Sequence, residues 1–138
     1  MDNAVFTGAD GKSQKYYMGC YGIGLGRTLA TIVEKFHDDK GMVWPKQIAP
    51  FDVHLISLKG AEEYAQKVYD QLKEKGIDVL WDEREGASAG QKFADADLIG
   101  VPVRLVVSPR NGKQVEFKER SSEQTEVISL DEVIKKIK

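Results

Sequence analysis

A single cysteine among 138 residues leaves nothing from which to build a disulfide framework, so a reducing, cytoplasmic setting is the expectation. Only two histidines occur, His37 and His54, and neither has the spaced Cys, Asp or second His that a metal site needs. Both read as structural, no metal site is expected, and no Ser-His-Asp or Cys-His arrangement is apparent. Apolar runs are far too short to span a bilayer, so no membrane partner is expected. The opening Met1-Asp2-Asn3-Ala4 lacks the basic start and apolar stretch of a secretory signal. A net charge of −2 at pH 7 denies the chain the Lys and Arg excess with which non-specific nucleic-acid binders meet phosphate. Any nucleic acid would have to be recognised locally, by a few placed side chains of both signs.

What the chain does have is glycine in one concentrated run, Met18-Gly19-Cys20-Tyr21-Gly22-Ile23-Gly24-Leu25-Gly26-Arg27. Glycine lets a backbone turn sharply and approach a ligand closely, and an arginine at the head of the following helix offers a planar, permanently charged fork suited to phosphate. Counting excludes two familiar phosphate loops. From Gly22 the third glycine of a dinucleotide fingerprint would fall on Arg27, and from Gly19 a P-loop would need lysine at Leu25. A glycine-rich strand end packed closely on a neighbour remains the structural alternative.

Around this run, an Asp10-Gly11 turn precedes an expected strand over 14–21. Leu29, Ile32, Val33 and Phe36 then paint one apolar stripe on a helix starting at Arg27. With that stripe uncovered, the arm is expected to be mobile, docked on the rest of the chain, or paired with another copy. Residues 37–50 read as a connector punctuated by Gly41, Pro45 and Pro50, with Trp44 and Ile48 as apolar anchors. From Phe51 strands and helices alternate: a continuous apolar strand over 52–58 and a helix marked by Ala61, Tyr64, Ala65, Val68 and Leu72, stopped at Gly76. A strand over 77–81 follows, then a helix capped by Ser88 running to Ile99 with Ala89, Phe93 and Ala96 on one face, and a strand over 102–108. The Asn111-Gly112 turn signal separates that strand from one over 114–118, and a last strand over 125–128 precedes a helix opened by a Ser129/Glu132 capping box. Short βα units favour parallel neighbours and the hairpin adds antiparallel ones, so the pattern predicts an α/β domain with a mixed, about five-stranded sheet.

Three stretches carry a resemblance. The run 18–27 resembles motif 3 of class II aminoacyl-tRNA synthetases. Val43-Trp-Pro-Lys-Gln-Ile-Ala-Pro-Phe51 resembles the junction that follows it in bacterial-type prolyl-tRNA synthetases, and Lys92-Phe-Ala-Asp-Ala-Asp-Leu-Ile-Gly-Val-Pro102 looks like that family's anticodon-binding domain. The resemblance implies a C-terminal portion with three parts: the end of a catalytic domain over 1–40 (strand, glycine loop, helix), a connector over 41–50, and a three-layer α/β/α anticodon-binding domain over 51–138. Motifs 1 and 2 cannot fit in the seventeen residues before Met18, so this polypeptide alone is expected not to activate proline and to need no cofactor. The zinc-bearing extension of the family's eukaryote-like branch is likewise not expected. The complete enzyme implied by the resemblance is a homodimer using ATP with Mg, and its partners are proline tRNA and the remainder of its catalytic domain.

Residue by residue, Arg27 would contact the ATP γ-phosphate, while Gly22 and Gly24 would admit the aminoacyl-adenylate. Cys20 lies beside them in that pocket and also reads as a small buried strand residue. Gly26 stands where the family often carries serine. For the anticodon, the last two bases of a proline anticodon are guanines, each with acceptors at O6 and N7 and donors at N1 and N2. A reader therefore needs both basic and acidic groups. Arg84 and Lys92 are the candidate donors, Glu83 or Glu85 the acceptors, and Phe93 core or stacking support. Asp95 and Asp97 are expected to face solvent or pair with protein cations such as Arg104. A free-standing tRNA-binding accessory or regulatory module is the alternative, against which stands the retention of Arg27.

Overall fold

The computed structural model describes residues 4–137, and within it the chain divides into two compact units, up to Ala30 and from Thr31 onward. The first unit opens with a hairpin, β1 (Val5–Thr7) and β2 (Ser13–Lys15), whose Gly11 takes a φ of 74° in the tight turn. The strand expected over 14–21 is therefore mostly absent: β2 ends at Lys15, one further bond joins the Tyr16 amide to Ala4 O at 3.3 Å, and 16–24 is irregular and exposed. An edge of backbone N–H and C=O groups forms a strand only where another strand satisfies it, and β1 is three residues long. Cys20 is accordingly exposed, not a buried strand residue. Helix α1 (Leu25–Lys35) starts two residues before Arg27, and Leu29 and Val33 on its apolar stripe are exposed.

The second unit is a three-layer sandwich. A five-stranded sheet runs in the order β6-β5-β7-β8-β9, formed by β5 (Val53–Ser57), β6 (Val79–Asp82), β7 (Val103–Val107), β8 (Val115–Glu119) and β9 (Thr125–Ile128). Strand β5 is parallel to both its neighbours, while β7–β8 and β8–β9 are antiparallel, the mixed sheet that the element order implies. Because β5 is flanked by β6 and β7 and covered on both faces, all five of its residues are buried. Val53 and Leu55 join Val103, Leu105, Val115 and Phe117 in the larger core, closed by Ala65, Val68 and Leu72 of α2 (Glu62–Glu74) and by Leu130 and Val133 of α4 (Leu130–Ile137). On the opposite face Ile56 and Val106 pack with Ala96 and Phe93 of α3 (Ala89–Ile99), whereas Ala89 at its start is exposed.

Helix boundaries follow the expected signals. Ser88 Oγ accepts the Gln91 amide at 3.2 Å. After α2, the Gly76 amide bonds Lys73 O at 3.0 Å and the Ile77 amide bonds Leu72 O at 3.1 Å, which returns Ile77 to the core beside Leu72. At α4 the Ser129 amide donates to Glu132 Oε2 at 2.9 Å and the Glu132 amide to Ser129 Oγ at 3.4 Å, a reciprocal box. Asn111-Gly112 does separate β7 from β8, but as the end of a longer loop: Pro109 begins a single 3-10 turn over Pro109–Asn111.

The connector is stapled to the end of α3. Two short strands, β3 (His37–Asp38) and β4 (Gly41–Met42), form a hairpin so close to that helix that a Cβ on Gly41 would lie 2.4 Å from Leu98 Cα, and one on Gly100 would lie 1.9 Å from Met42 O. Trp44 closes the contact, donating its indole Nε1–H to Ile99 O at 2.9 Å and its amide to Gly100 O at 3.2 Å. It thus packs the connector down, as expected of a large aromatic, whereas Ile48 does not: it is exposed. Arg120, buried at the far side of the hairpin, forks onto both Asp38 oxygens at 2.6 and 2.7 Å and donates Nε–H to Asp97 O at 3.0 Å.

These Arg120 hydrogen bonds hold the Asp38 carboxyl well below the usual carboxylate range, helped by the Lys40 and Gly41 amides. A depressed carboxylate pKa contributes stability above the unfolded value that is lost only as pH falls through the folded one. The clasp is therefore expected to stay ionised through about pH 3.9, the ordinary aspartate midpoint. Carbon-detected NMR of the Asp38 carboxyl would show no inflection there, and an ordinary midpoint would contradict the clasp.

Candidate functional site

Chain direction creates the site. From β5 the chain crosses by α2 to β6 on one side, then returns by α3 over the other face to β7 on the opposite side of β5. At such a switch point the loops beyond the carboxyl ends of the strands part and leave a crevice. Here it is a groove of about 1170 Å³. The loop after β6 and the start of α3 supply Glu83, Arg84, Glu85, Lys92 and Phe93, so the structure brings all five expected residues into one concavity. Lys59 and Glu62 enter from the β5–α2 side, Arg110 and Asn111 from the turn after β7, and Glu116 from β8. These last five escaped sequence reasoning. A signal existed, since loops after successive parallel strands open at one edge, but it becomes usable only once the strand order is known.

The buried carboxylate of Asp82, at the end of β6, organises the α3 wall. Arg84 grips it as a fork, Nε to Oδ1 at 2.9 Å and Nη2 to Oδ2 at 2.7 Å, and the second Nη2–H reaches Asp95 Oδ2 at 2.7 Å. Bonding by Arg84 lowers the Asp82 pKa against the opposing effect of burial, and the two carboxylates raise that of Arg84. Both stay charged at neutral pH. Nη1 of the half-exposed Arg84 has no partner within the described residues, so its two N–H groups are available.

Lys92 is buried, with 4% of its surface exposed, and its role differs from that of Arg84. Its ammonium donates to Ser57 O at 2.9 Å and Asp82 O at 3.1 Å, tying the carboxyl ends of β5 and β6, with Asp82 Oδ1 3.8 Å away. Two of its three N–H groups are therefore committed to the fold. Glu83 and Glu85 are exposed and form no ion pair among the described residues, leaving their oxygens as acceptors. Phe93 forms part of the floor, packed on Ile56 and Val106 with the Arg104 guanidinium 4.9 Å from its ring centroid. Arg104 in turn pairs with Asp97 at 3.3 Å, and Asp95 with Arg84, so both aspartates have protein cations as partners. His54, behind this wall, is buried with Nδ1 unpartnered, and desolvation lowers its pKa so that it is neutral.

In the first unit, Arg27 lies against Gly24: a Cβ there would sit 3.3 Å from Arg27 Nε and 3.5 Å from Nη2. Gly22 has open space around it, and Tyr17, Tyr21 and Ile23 are almost fully exposed. Among the described residues no helix is long and apolar enough to cross a membrane.

Fold and groove together define a three-layer α/β/α domain with a crevice, lined by charges of both signs, at the carboxyl edge of a mixed sheet. Residues 48–138 match the family model described as the anticodon binding domain, and the chain belongs to that family. It is 46% identical over 140 residues to the proline–tRNA ligase of Dehalococcoides mccartyi strain CBDB1, with 97% of this chain and 24% of that protein covered. With the proline–tRNA ligase of Legionella pneumophila strain Corby it shares 48% identity over 139 residues, again covering 96% of this chain and 24% of the relative. The chain thus spans about a quarter of the length of the curated relatives it matches. Among solved structures, Giardia lamblia prolyl-tRNA synthetase in complex with prolyl-adenylate superposes with a TM-score of 0.74 at 28% identity, over 94% of this chain and 29% of that one.

Proposed function

We propose that this chain is the tRNA-reading portion of a proline–tRNA ligase, the enzyme that joins proline to its tRNA at the expense of ATP, and that its groove reads the guanines of the proline anticodon. The observation that carries this reading is the convergence of Glu83, Arg84, Glu85, Lys92 and Phe93 on one edge of the sheet. The free Nη1 of Arg84 suits guanine O6 and N7, and the unpaired Glu83 and Glu85 suit its N1–H and N2–H₂. Lys92 holds the end of β6 that carries them by tying it to the end of β5. Similarity over nearly the whole chain to two proline–tRNA ligases supports the same assignment.

In the complete, homodimeric enzyme, Arg27 contacts the γ-phosphate of Mg-bound ATP, and Cys20, Gly22 and Gly24 line the path of the adenylate. The packing of the Arg27 fork on Gly24 supports that part. Residues 1–138 by themselves are expected to perform no ATP–pyrophosphate exchange, and measured exchange would overturn the division of labour.

The groove is tested by Glu83→Gln. An exposed loop substitution should leave the melting temperature unchanged. Its amide keeps one acceptor but loses the charge that pairs with guanine N1–H and N2–H₂. Binding of a proline anticodon stem–loop, followed by fluorescence anisotropy, is expected to weaken by roughly tenfold, while a stem–loop lacking the guanines is unaffected. Equal losses on both RNAs would contradict base reading by this residue.

A further inference from the structure

The two walls of the groove differ in how their cations are engaged. On the α3 side Arg84 is held by two carboxylates and Lys92 by two carbonyls. Across the groove, Lys59 follows β5 and Arg110 follows β7, both exposed, and neither forms an ion pair among the described residues. Their loops touch. Gly60, at a φ of 86°, lies so close to Pro109 that a Cβ would stand 3.3 Å from its Cγ, and the Leu58 amide bonds Val107 O at 2.9 Å. The contact therefore joins the neighbour of Lys59 to the neighbour of Arg110. Of the carboxylates on this side, Glu62 gives an oxygen to the Gly60 amide at 2.9 Å and Glu116 stands on β8. Two exposed cations on touching loops, neither bonded to a carboxylate among the described residues, offer N–H donors to an anion lying along those loops.

We propose that Lys59 and Arg110 form a phosphate-binding wall, which lays the RNA backbone along the β5 and β7 loops and turns the bases toward Glu83, Arg84 and Glu85. This inference rests on reading the groove as the anticodon site. It divides labour within that site: contacts to phosphate set register and orientation, and contacts to base edges carry the sequence information. It also suits a chain of net charge −2, because two placed cations rather than an overall excess of Lys and Arg would meet the phosphates.

The test uses the whole 138-residue chain and two synthetic RNA stem–loops, one with the proline anticodon and one with both guanines replaced, titrated at several salt concentrations. Lys59→Gln and Arg110→Gln each remove one phosphate contact. Each is expected to reduce the slope of log K against log salt by about 0.7 and to weaken binding about fivefold near 0.1 M salt, by the same factor for both RNAs. Melting temperatures should not move, since both side chains are exposed. An unchanged slope in the double variant overturns the phosphate wall, and so does a loss confined to the guanine-bearing RNA, which would make these cations base readers. Wild-type binding without preference between the RNAs would instead overturn the anticodon reading, leaving the slope to judge the wall. Absence of wild-type binding to either RNA overturns both.

Discussion

Lys92→Ala is expected to cost the domain about 3–5 kcal/mol of folding stability, because it removes one member of a buried charged network and strands the rest. Ser57 O loses its ammonium donor, Asp82 O is left with the Ser57 hydroxyl at 3.3 Å, and the buried Asp82 carboxylate is left to Arg84 alone. Against a total of about 5–15 kcal/mol for a domain, that is a large fraction. Denaturant unfolding should show a lower midpoint with an unchanged slope, since the surface exposed on unfolding hardly differs. Lys92→Met separates the causes: it restores the volume of the stem but not the N–H groups. If the tie between β5 and β6 is the source of the loss, methionine recovers only part of it. A methionine variant as stable as the wild type would mean that Lys92 acts by packing. Selectivity for guanine should fall in both variants, because Glu83 and Arg84 follow directly on the end of β6 that Lys92 holds.

Gly100→Ala is the second large effect, expected at about 3 kcal/mol or more from two contributions. A non-glycine residue at a φ of 76° costs about 1–2 kcal/mol, and forcing a side chain into filled space costs about 1–3 more. Here the added Cβ would stand 1.9 Å from Met42 O and 2.3 Å from its carbonyl carbon, backbone atoms that cannot swing aside as a side chain does. The hairpin must lift, which breaks both Trp44 bonds and separates Asp38 from Arg120. Amide hydrogen exchange should accelerate at Val43 and Trp44 while the sheet amides keep their protection. Gly76→Ala is the comparator: its φ of 74° matches that of Gly100 and it too ends a helix, but nothing lies within 4 Å of the added carbon, so only the conformational cost applies. Equal losses at the two positions would contradict the close approach.

Much of this fold was legible because its signals are local. Ser88, Gly76 and the Ser129/Glu132 box mark helix ends through bonds spanning a few residues, and each bond is present. The apolar run of β5 announced a strand covered on both faces, and the alternation of strands and helices announced a mixed sheet. Long-range partners carried no such mark. The strand over 14–21 failed because the sequence shows an extended segment but not what would pair with it. Arg120 and Asp38, 82 positions apart, gave no hint of each other, and Ile48 looked like an anchor only because it is apolar. In the groove, the cluster 82–85 and Lys92 stood out as charge between a strand and a helix. Lys59 and Arg110 were single cations in two loops, and nothing in one dimension says that those loops touch. Lys92 illustrates a further limit: its type suggested a donor to a base, whereas burial commits most of its donors to the chain.

On the proposed reading, this groove distinguishes the proline anticodon by its guanines. The direct measurement is the ratio of dissociation constants of the wild-type chain for two stem–loops that differ only in those two bases, at one fixed salt concentration. A correctly paired base is worth about 1–3 kcal/mol of discrimination, so the RNA carrying both guanines should bind roughly a hundredfold more tightly. A ratio near one would contradict the account.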